Sequence, residues 1–235
     1  MHPYDHARSS ARRYGGICQD YNPLHAWFDA TKSILCRFTH RALRHHIEGA
    51  REAVAVFGDD ILNSDGVKIS TMSLGLQHLE EDAPRVVKAS EWLVGFAAPD
   101  WLPATTPTAH ELAAASVMRF GGAAQDFLPL HSWFLVTSRW ASGTDHLLFR
   151  HHAFGVFEAE ARFGAVLPLT GGTCVPTRVA AERHVQEVLG RVPPATEFLK
   201  RIAGQRWMLQ ATSARRLGLD SPIAPEVTEV AREHA

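Results

Sequence analysis

The stretch RHHIEGAREAVAVFG at Arg44–Gly58 returns as RHHAFGVFEAEARFG at Arg150–Gly164, 106 residues later. A second pair carries the same offset: PLHAWF at Pro23–Phe28 and PLHSWF at Pro129–Phe134. Extended outward, the match runs without a gap from Ala7 to Trp101 against Ala113 to Trp207, with about a third of positions identical. A period near 100 residues is too long for a solenoid and suits two small domains, each with a core. The duplication predicts unit one over 1–97, a Pro-rich linker over 98–107, unit two over 108–208 and a C-terminal tail over 209–235. A duplicated gene often stands in for a homodimer, so the halves are expected to pack about a pseudo-two-fold axis.

Within each unit the pattern is mainly helical. Pro3 suits the first turn of a helix that ends at Gly15-Gly16. Its counterpart opens on a Thr108/Glu111 capping box and ends at Gly121-Gly122. The apolar spacing of Leu24, Trp27, Phe28, Thr31 and Leu35 predicts a second helix from Pro23 to Leu35. A third is expected from His40 to Phe57, with Leu43, Ile47, Ala50 and Val54 on its apolar stripe. DILNSDGVKIS at Asp60–Ser70 alternates about Asp65-Gly66 and predicts a β-hairpin, as does AVLPLTGGTCVPT about Gly171-Gly172. Helices at Thr71–Asp82 and Arg178–Leu189 follow, then short ones capped by Ser90 and Thr196. Pro222 and Pro225 break the tail, which leaves room for a short terminal helix. The fold class is mainly α, with one small hairpin per unit.

Composition excludes several functions. Net charge is −1 at neutral pH and there is no long charge run, which argues against nucleic acid as a partner. No apolar stretch is long enough to span a membrane. The N-terminal residues lack the apolar region of a signal peptide, so a cytoplasmic protein is expected. Three unmatched cysteines without a CxxC spacing read as free thiols, not as a disulfide frame or a zinc site. Walker, GxGxxG, GxSxG and HExxH motifs are all missing.

The informative residues are the histidines, fourteen in all. Ten fall on matched pairs: His25/His131, His40/His146, His45/His151, His46/His152 and His78/His184. His2, His6, His110 and His234 have no counterpart. His25 shares a helix face with Asp29, four residues on, and His78 shares one with Glu81, as His184 does with Glu187. On a helical wheel for the third helix, His40 and His46 flank the apolar stripe and His45 points away from it, so the three do not meet at one ion. A site drawing His25, His46 or His45, and the His78/Glu81 face from three helices would offer mixed nitrogen and oxygen ligands. That set suits zinc, iron, manganese or nickel. The histidines of each half are therefore expected to converge.

The blocks LHAWFD, HRALRHHIEG and GLQHLEEDAPRV resemble a family of small bacterial and phage proteins of unknown function. Its members read HDWFD, then HRALRHH-x-EG, an NS-x-G turn and QH-x-x-ED-x-G. Copy one resembles the family nearly end to end. Copy two departs from it with Leu135 for Asp29, Phe154 for Glu48 and Val188 for Asp82. The resemblance implies no activity, and it marks copy one as the half to work if only one does.

Two readings stand side by side. One is a divalent-metal-binding helical protein, extending to a metal-dependent hydrolase with Asp29, Glu48, Glu52 or Glu81 handling the proton. The other is a non-enzymatic interaction module whose His and Trp faces meet a protein partner, or a further oligomer of the pseudo-dimer.

Overall fold

The computed structural model describes residues 1–219. The expected tail helix beyond Pro222 lies outside them. Unit one runs α1 (Pro3–Tyr14), α2 (Cys18–Asp29), a 3-10 turn at Phe38–Leu43, α3 (Ile47–Phe57), a hairpin of β1 (Asp60–Leu62) and β2 (Lys68–Ser70), and α4 (Thr71–Asp82). Unit two repeats it as α5 (Ala109–Phe120), α6 (Ala124–Leu135), a 3-10 turn at Asp145–Phe149, α7 (Ala153–Phe163), β3 (Val166–Pro168), β4 (Cys174–Pro176) and α8 (Thr177–Leu189). A short α9 (Ala195–Leu199) follows. The protein is mainly α, with two small antiparallel hairpins. Among the described residues, no helix is long and apolar enough to cross a membrane.

Three boundaries differ from the sequence reading. First, α2 begins at Cys18, not Pro23, and ends at Asp29. Asp20 sets this start: its Oδ2 accepts from the Ile17 amide (2.8 Å) and from the Ser64 amide (3.0 Å). One carboxylate thus caps a helix and ties it to the hairpin. Asp126 does the same with the Ala123 and Thr170 amides. Pro23 sits inside the helix, where its missing N–H costs one backbone bond.

Second, the expected helix from His40 to Phe57 is broken. The chain makes a 3-10 turn, bends at Arg44 (φ −140°) and starts α3 only after His46, whose Nδ1 accepts from the Gly49 amide at 3.0 Å. The bend presses the Arg44 carbonyl against Gly49. A Cβ there would lie 1.9 Å from Arg44 O, and one at Gly155 would lie 1.8 Å from Arg150 O. Third, the last short elements are not capped by Ser90 or Thr196. A 3-10 turn at Ala89–Leu93 follows Lys88, with Glu91 accepting from the Lys88 amide, and α9 follows Pro194.

Each unit has its own core, built on Tyr21, Leu24, Phe28 and Leu74 in unit one and on Phe127, Leu130, Phe134 and Val185 in unit two. A third core joins them. Leu43 and Trp92 of unit one pack with Phe149, Phe198, Leu199 and Met208 of unit two. Around it the contacts are reciprocal. Arg44 pairs with Glu158 (2.8 Å), and its counterpart Arg150 pairs with Glu52 (2.6 Å). Each arginine also lies 4.0 Å over the tryptophan of its own unit, Trp27 or Trp133, and donates to that tryptophan's carbonyl. Position i meeting j′ while j meets i′ is what a two-fold relation produces.

The chain then crosses back. Thr212 donates its amide to Glu81 O at 2.7 Å, and Arg12 donates to the carbonyls of Leu217 and Gly218. The first part of the expected tail thus packs on unit one.

The crowded glycines give a direct test. Gly49→Ala and Gly155→Ala should each destabilise the fold by about 3 kcal/mol, the upper range for overpacking, measured by urea unfolding. A change under about 0.5 kcal/mol at both would show that the bend relaxes freely.

Candidate metal centre

Helices α1, α2 and α4 of unit one, with the bend before α3, bring a row of imidazoles into the interior. Ser10 Oγ lies 2.8 Å from His25 Nε2. His25 Nδ1 lies 3.1 Å from His78 Nδ1, and His78 Nε2 lies 3.1 Å from His45 Nε2. Phe28 stacks on His78 with ring centroids 4.6 Å apart. All three histidines are at most 4% exposed.

Hydrogen-bond polarity fixes the tautomers along this row. Glu81 can only accept, so the Gln77 amide donates to it (2.8 Å) and turns its oxygen to Ser10. Ser10 donates to Gln77 and therefore accepts from His25 Nε2–H. His25 Nδ1 is left with a lone pair and accepts from His78 Nδ1–H. His78 Nε2 then presents a lone pair to whatever lies beyond it.

Beyond it lie two carboxylates. Asp82 Oδ2 is 3.1 Å from His45 Nε2 and 3.7 Å from His78 Nε2. Asp29 Oδ1 is 3.6 Å from His45 Nε2. One ligand atom from each of Asp29, His45, His78 and Asp82 falls within 4.8 Å of every other, and all four residues are buried. The opposite oxygens are held from behind. Asp29 Oδ2 meets Lys32 Nζ at 2.8 Å. Asp82 Oδ1 meets Arg41 Nη2 and the Met1 amino group, each at 3.0 Å. Asp29 Oδ1 and Asp82 Oδ2 accept no hydrogen bond. Orphaned buried carboxylate oxygens are costly and call for an explanation.

The electrostatics keep the set ready to bind a cation. Burial, reinforced by His6, lowers His25 to about 3, and burial takes His78 well below the ordinary imidazole range. Burial alone would raise Asp29, but His45 and Lys32 outweigh it and hold its carboxyl at about 2. Asp82 is likewise driven far down against its burial, chiefly by His45 and His6. His25 and His78 are thus neutral, and Asp29 and Asp82 charged, at neutral pH. His6 is the exception: burial pulls it down, but Asp82 and Glu81 raise it above its ordinary value. Its Nδ1 lies 2.6 Å from Glu81 Oε2, and it forms a second cluster with His25 and His78.

The structure sorts the histidines and acids singled out in the sequence. His25, Asp29, His45 and His78 come together. The wheel placement of His45 is wrong because the segment is not a helix; the bend at Arg44 turns that ring inward. His46 does not join them. It caps α3 and packs on Trp140 and Phe149 of unit two, at 5.3 and 5.8 Å. His152 caps α7 in the same way. His40 sits beside the cluster, 5.6 Å from His45 by ring centroids, with its Nδ1 against Thr31 Oγ1 at 2.7 Å. His146 repeats this contact with Thr137. Glu81 serves His6, Ser9 and Gln77 and does not face His45. Glu187 pairs with Arg183 at 2.9 Å. Of the other acids, Glu48 is taken by the Ala89 amide and Glu52 by Arg150.

Two residues escaped the sequence reading. His6 has no counterpart in unit two, and Asp82 enters the sequence reading only as the family position that Val188 replaces. The spacing that matters is i to i+4, from His78 to Asp82.

Unit two keeps the imidazole row without the acids. Ser116, His131, His184 and His151 repeat it at 2.9, 2.8 and 3.0 Å. Leu112, Leu135 and Val188 replace His6, Asp29 and Asp82. No metal-ligand group forms in unit two among the described residues.

The comparisons with known proteins fit this picture. A family profile, "Domain of unknown function (DUF6915)", matches residues 1–102 and again 106–208. The chain belongs to that family and carries its domain twice. No curated protein and no solved structure is detectably similar to it.

The buried imidazoles carry a pH signature. Burial holds His131 and His152 at about 4 and pushes His151 and His184 well below their ordinary value. Unfolded histidines take up protons near pH 6.5. The unfolded chain therefore binds more protons than the native one as pH falls from about 6.5 to about 4, and stability drops across that window. Melting temperature should decline steadily from pH 7 to pH 4. A flat profile down to pH 4.5 would contradict the buried neutral state.

Proposed function

We propose that unit one binds one divalent transition metal through Asp29 Oδ1, His45 Nε2, His78 Nε2 and Asp82 Oδ2, and that the centre serves metal-dependent hydrolysis. The carrying observation is the spacing of those four atoms: four of the six separations are 3.1, 3.1, 3.6 and 3.7 Å, and none exceeds 4.8 Å. A tetrahedral ion with bonds of about 2.0–2.1 Å holds its ligands about 3.3 Å apart. Two neutral imidazoles and two carboxylates also balance the charge of a divalent ion. Zinc fits this donor set, as do iron(II) and manganese.

A bound ion would supply Lewis acidity, lowering the pKa of a water molecule and polarising a substrate oxygen. The chain's own groups do the rest. Lys32 and Arg41 hold the rear oxygens of Asp29 and Asp82, so the front oxygens keep their aim. The Ser10–His25–His78 row fixes the His78 tautomer with its lone pair forward. His40 is the neighbouring imidazole; burial, reinforced by His45, lowers it to about 3, so it stands beside the centre as a neutral ring. The Thr31 hydroxyl donates to Phe28 O (3.4 Å) and accepts from His40 Nδ1, which leaves the lone pair on Nε2. Unit two supports the reading by contrast, since it has Leu135 and Val188 at the positions of the two aspartates.

Dialysed protein is expected to take up one equivalent of zinc and to gain about 2.7 kcal/mol of stability at a hundredfold excess of free metal over Kd. Asp82→Asn, Asp29→Asn and His78→Ala should each abolish most uptake, while His131→Ala and His184→Ala leave it intact. Equal loss from both halves would break the assignment to unit one. A folded protein that neither binds nor is stabilised by zinc, iron or manganese would leave the histidines as packing residues, and the interaction-module reading would replace this one.

A further inference from the structure

Beside the centre, unit one opens into a surface depression of about 420 Å³ whose lining includes Lys32, Arg37, Phe38, His40, Arg41 and Leu209. Three of these side chains are cations, and no carboxylate lines it. Arg41 is the dividing wall, since it also lines the small cavity that touches His45 and Asp82. Its Nη2 is spent on Asp82, but its Nε is buried and has no partner. Arg37 is exposed, with its guanidinium 5.3 Å from the Phe38 ring. Leu209, the first residue of the tail, is 66% exposed, and Met208 at the end of unit two also lines the depression.

The second half of the chain provides an internal control. At the positions of Lys32, Arg37 and Arg41 it has Ser138, Gly143 and Leu147. The three cations are thus absent from the same unit that lacks Asp29 and Asp82. Meanwhile the purely architectural pairs persist in both units, including Asp20/Asp126, Arg44/Arg150 and Gly49/Gly155. Positions that change together in one copy, against a frame that does not change, point to one shared task.

We propose that this depression binds the oxyanion of a small anionic substrate, a phosphate ester or a carboxylate, and presents it to the metal centre. The proposal rests on the metal reading above and names the substrate class for it. Lys32, Arg37 and Arg41 supply charge-assisted donors, which favour such oxyanions. Phe38 and Leu209 flank them with apolar surface for the organic part of the molecule. Unit two, without a centre of its own, contributes a wall to the centre of unit one.

The test uses the full chain carrying one equivalent of zinc, titrated calorimetrically with inorganic phosphate and, separately, with acetate. At least one of them should bind. Arg37→Glu should weaken that binding by about tenfold or more, the size expected for losing a hydrogen bond to a charged group, with zinc content unchanged. Arg139→Glu makes the same charge change at an exposed arginine outside the depression and should leave affinity within twofold. Tighter phosphate binding assigns the phosphate-ester class, and tighter acetate binding the carboxylate class; either supports the proposal. Zinc retained with no binding of either probe, or equal affinities for wild type and Arg37→Glu, overturns the anionic-substrate proposal alone. Failure to take up zinc overturns both it and the metal reading.

Discussion

The row of buried imidazoles from Ser10 through His25 and His78 to His45 is the constraint around which each unit is built. Imidazole nitrogens cannot be buried without partners at low cost, and in each row only the outer nitrogen of the last ring, His45 Nδ1 or His151 Nδ1, lacks one. In both halves the solution is a chain of ring-to-ring contacts anchored on a helix serine, with a phenylalanine stacked on the central ring. The bend before α3 exists to deliver His45 or His151 to the end of that chain. Glycine at position 49 or 155 is what lets the backbone bend so tightly.

The units diverge at the end of the row. In unit two leucine and valine stand at the positions of Asp29 and Asp82, and both belong to the apolar core of that unit. In unit one the last imidazole meets Asp29 and Asp82, and the row ends in four side chains whose ligand atoms lie within 4.8 Å of one another. Each of these carboxylates points one oxygen back to cations and one forward to the histidines. That division matters, because a carboxylate wholly absorbed by Arg41 or Lys32 would have nothing left for an ion. The joint core of Leu43, Trp92, Phe149 and Phe198 lets the plain copy buttress the elaborated one.

Much of the fold was legible in the sequence. The 106-residue offset gave the two units, alternation about Asp65-Gly66 gave the hairpin, and the limits of α1 and α4 followed from caps and periodicity. The broken third helix was not legible, because Leu43, Ile47, Ala50 and Val54 keep helical spacing across a bend that tertiary contacts impose. The start of α2 was not legible either, because the capping carboxylate, Asp20, lies only three residues before Pro23, the residue that reads as a helix start. For the site, the duplication suggested that matched histidines mark function. That logic recovered His25, His45 and His78 but also gathered His46 and His152, which cap helices. His6, which has no counterpart, and Asp82, which Val188 replaces, lie outside that logic. In a duplicated chain, matched residues report the common architecture, and the unmatched polar residues in the interior report what one copy does alone.

Anomalous diffraction from crystals of the zinc-loaded protein, collected on both sides of the zinc edge, addresses the central claim most directly. A single strong peak bonded to His45 Nε2, His78 Nε2, Asp29 and Asp82, with nothing at His131, His151 and His184, is the result this account predicts. A peak of equal height in unit two, or an empty pocket between Asp29 and Asp82 in protein that carries zinc elsewhere, would contradict it.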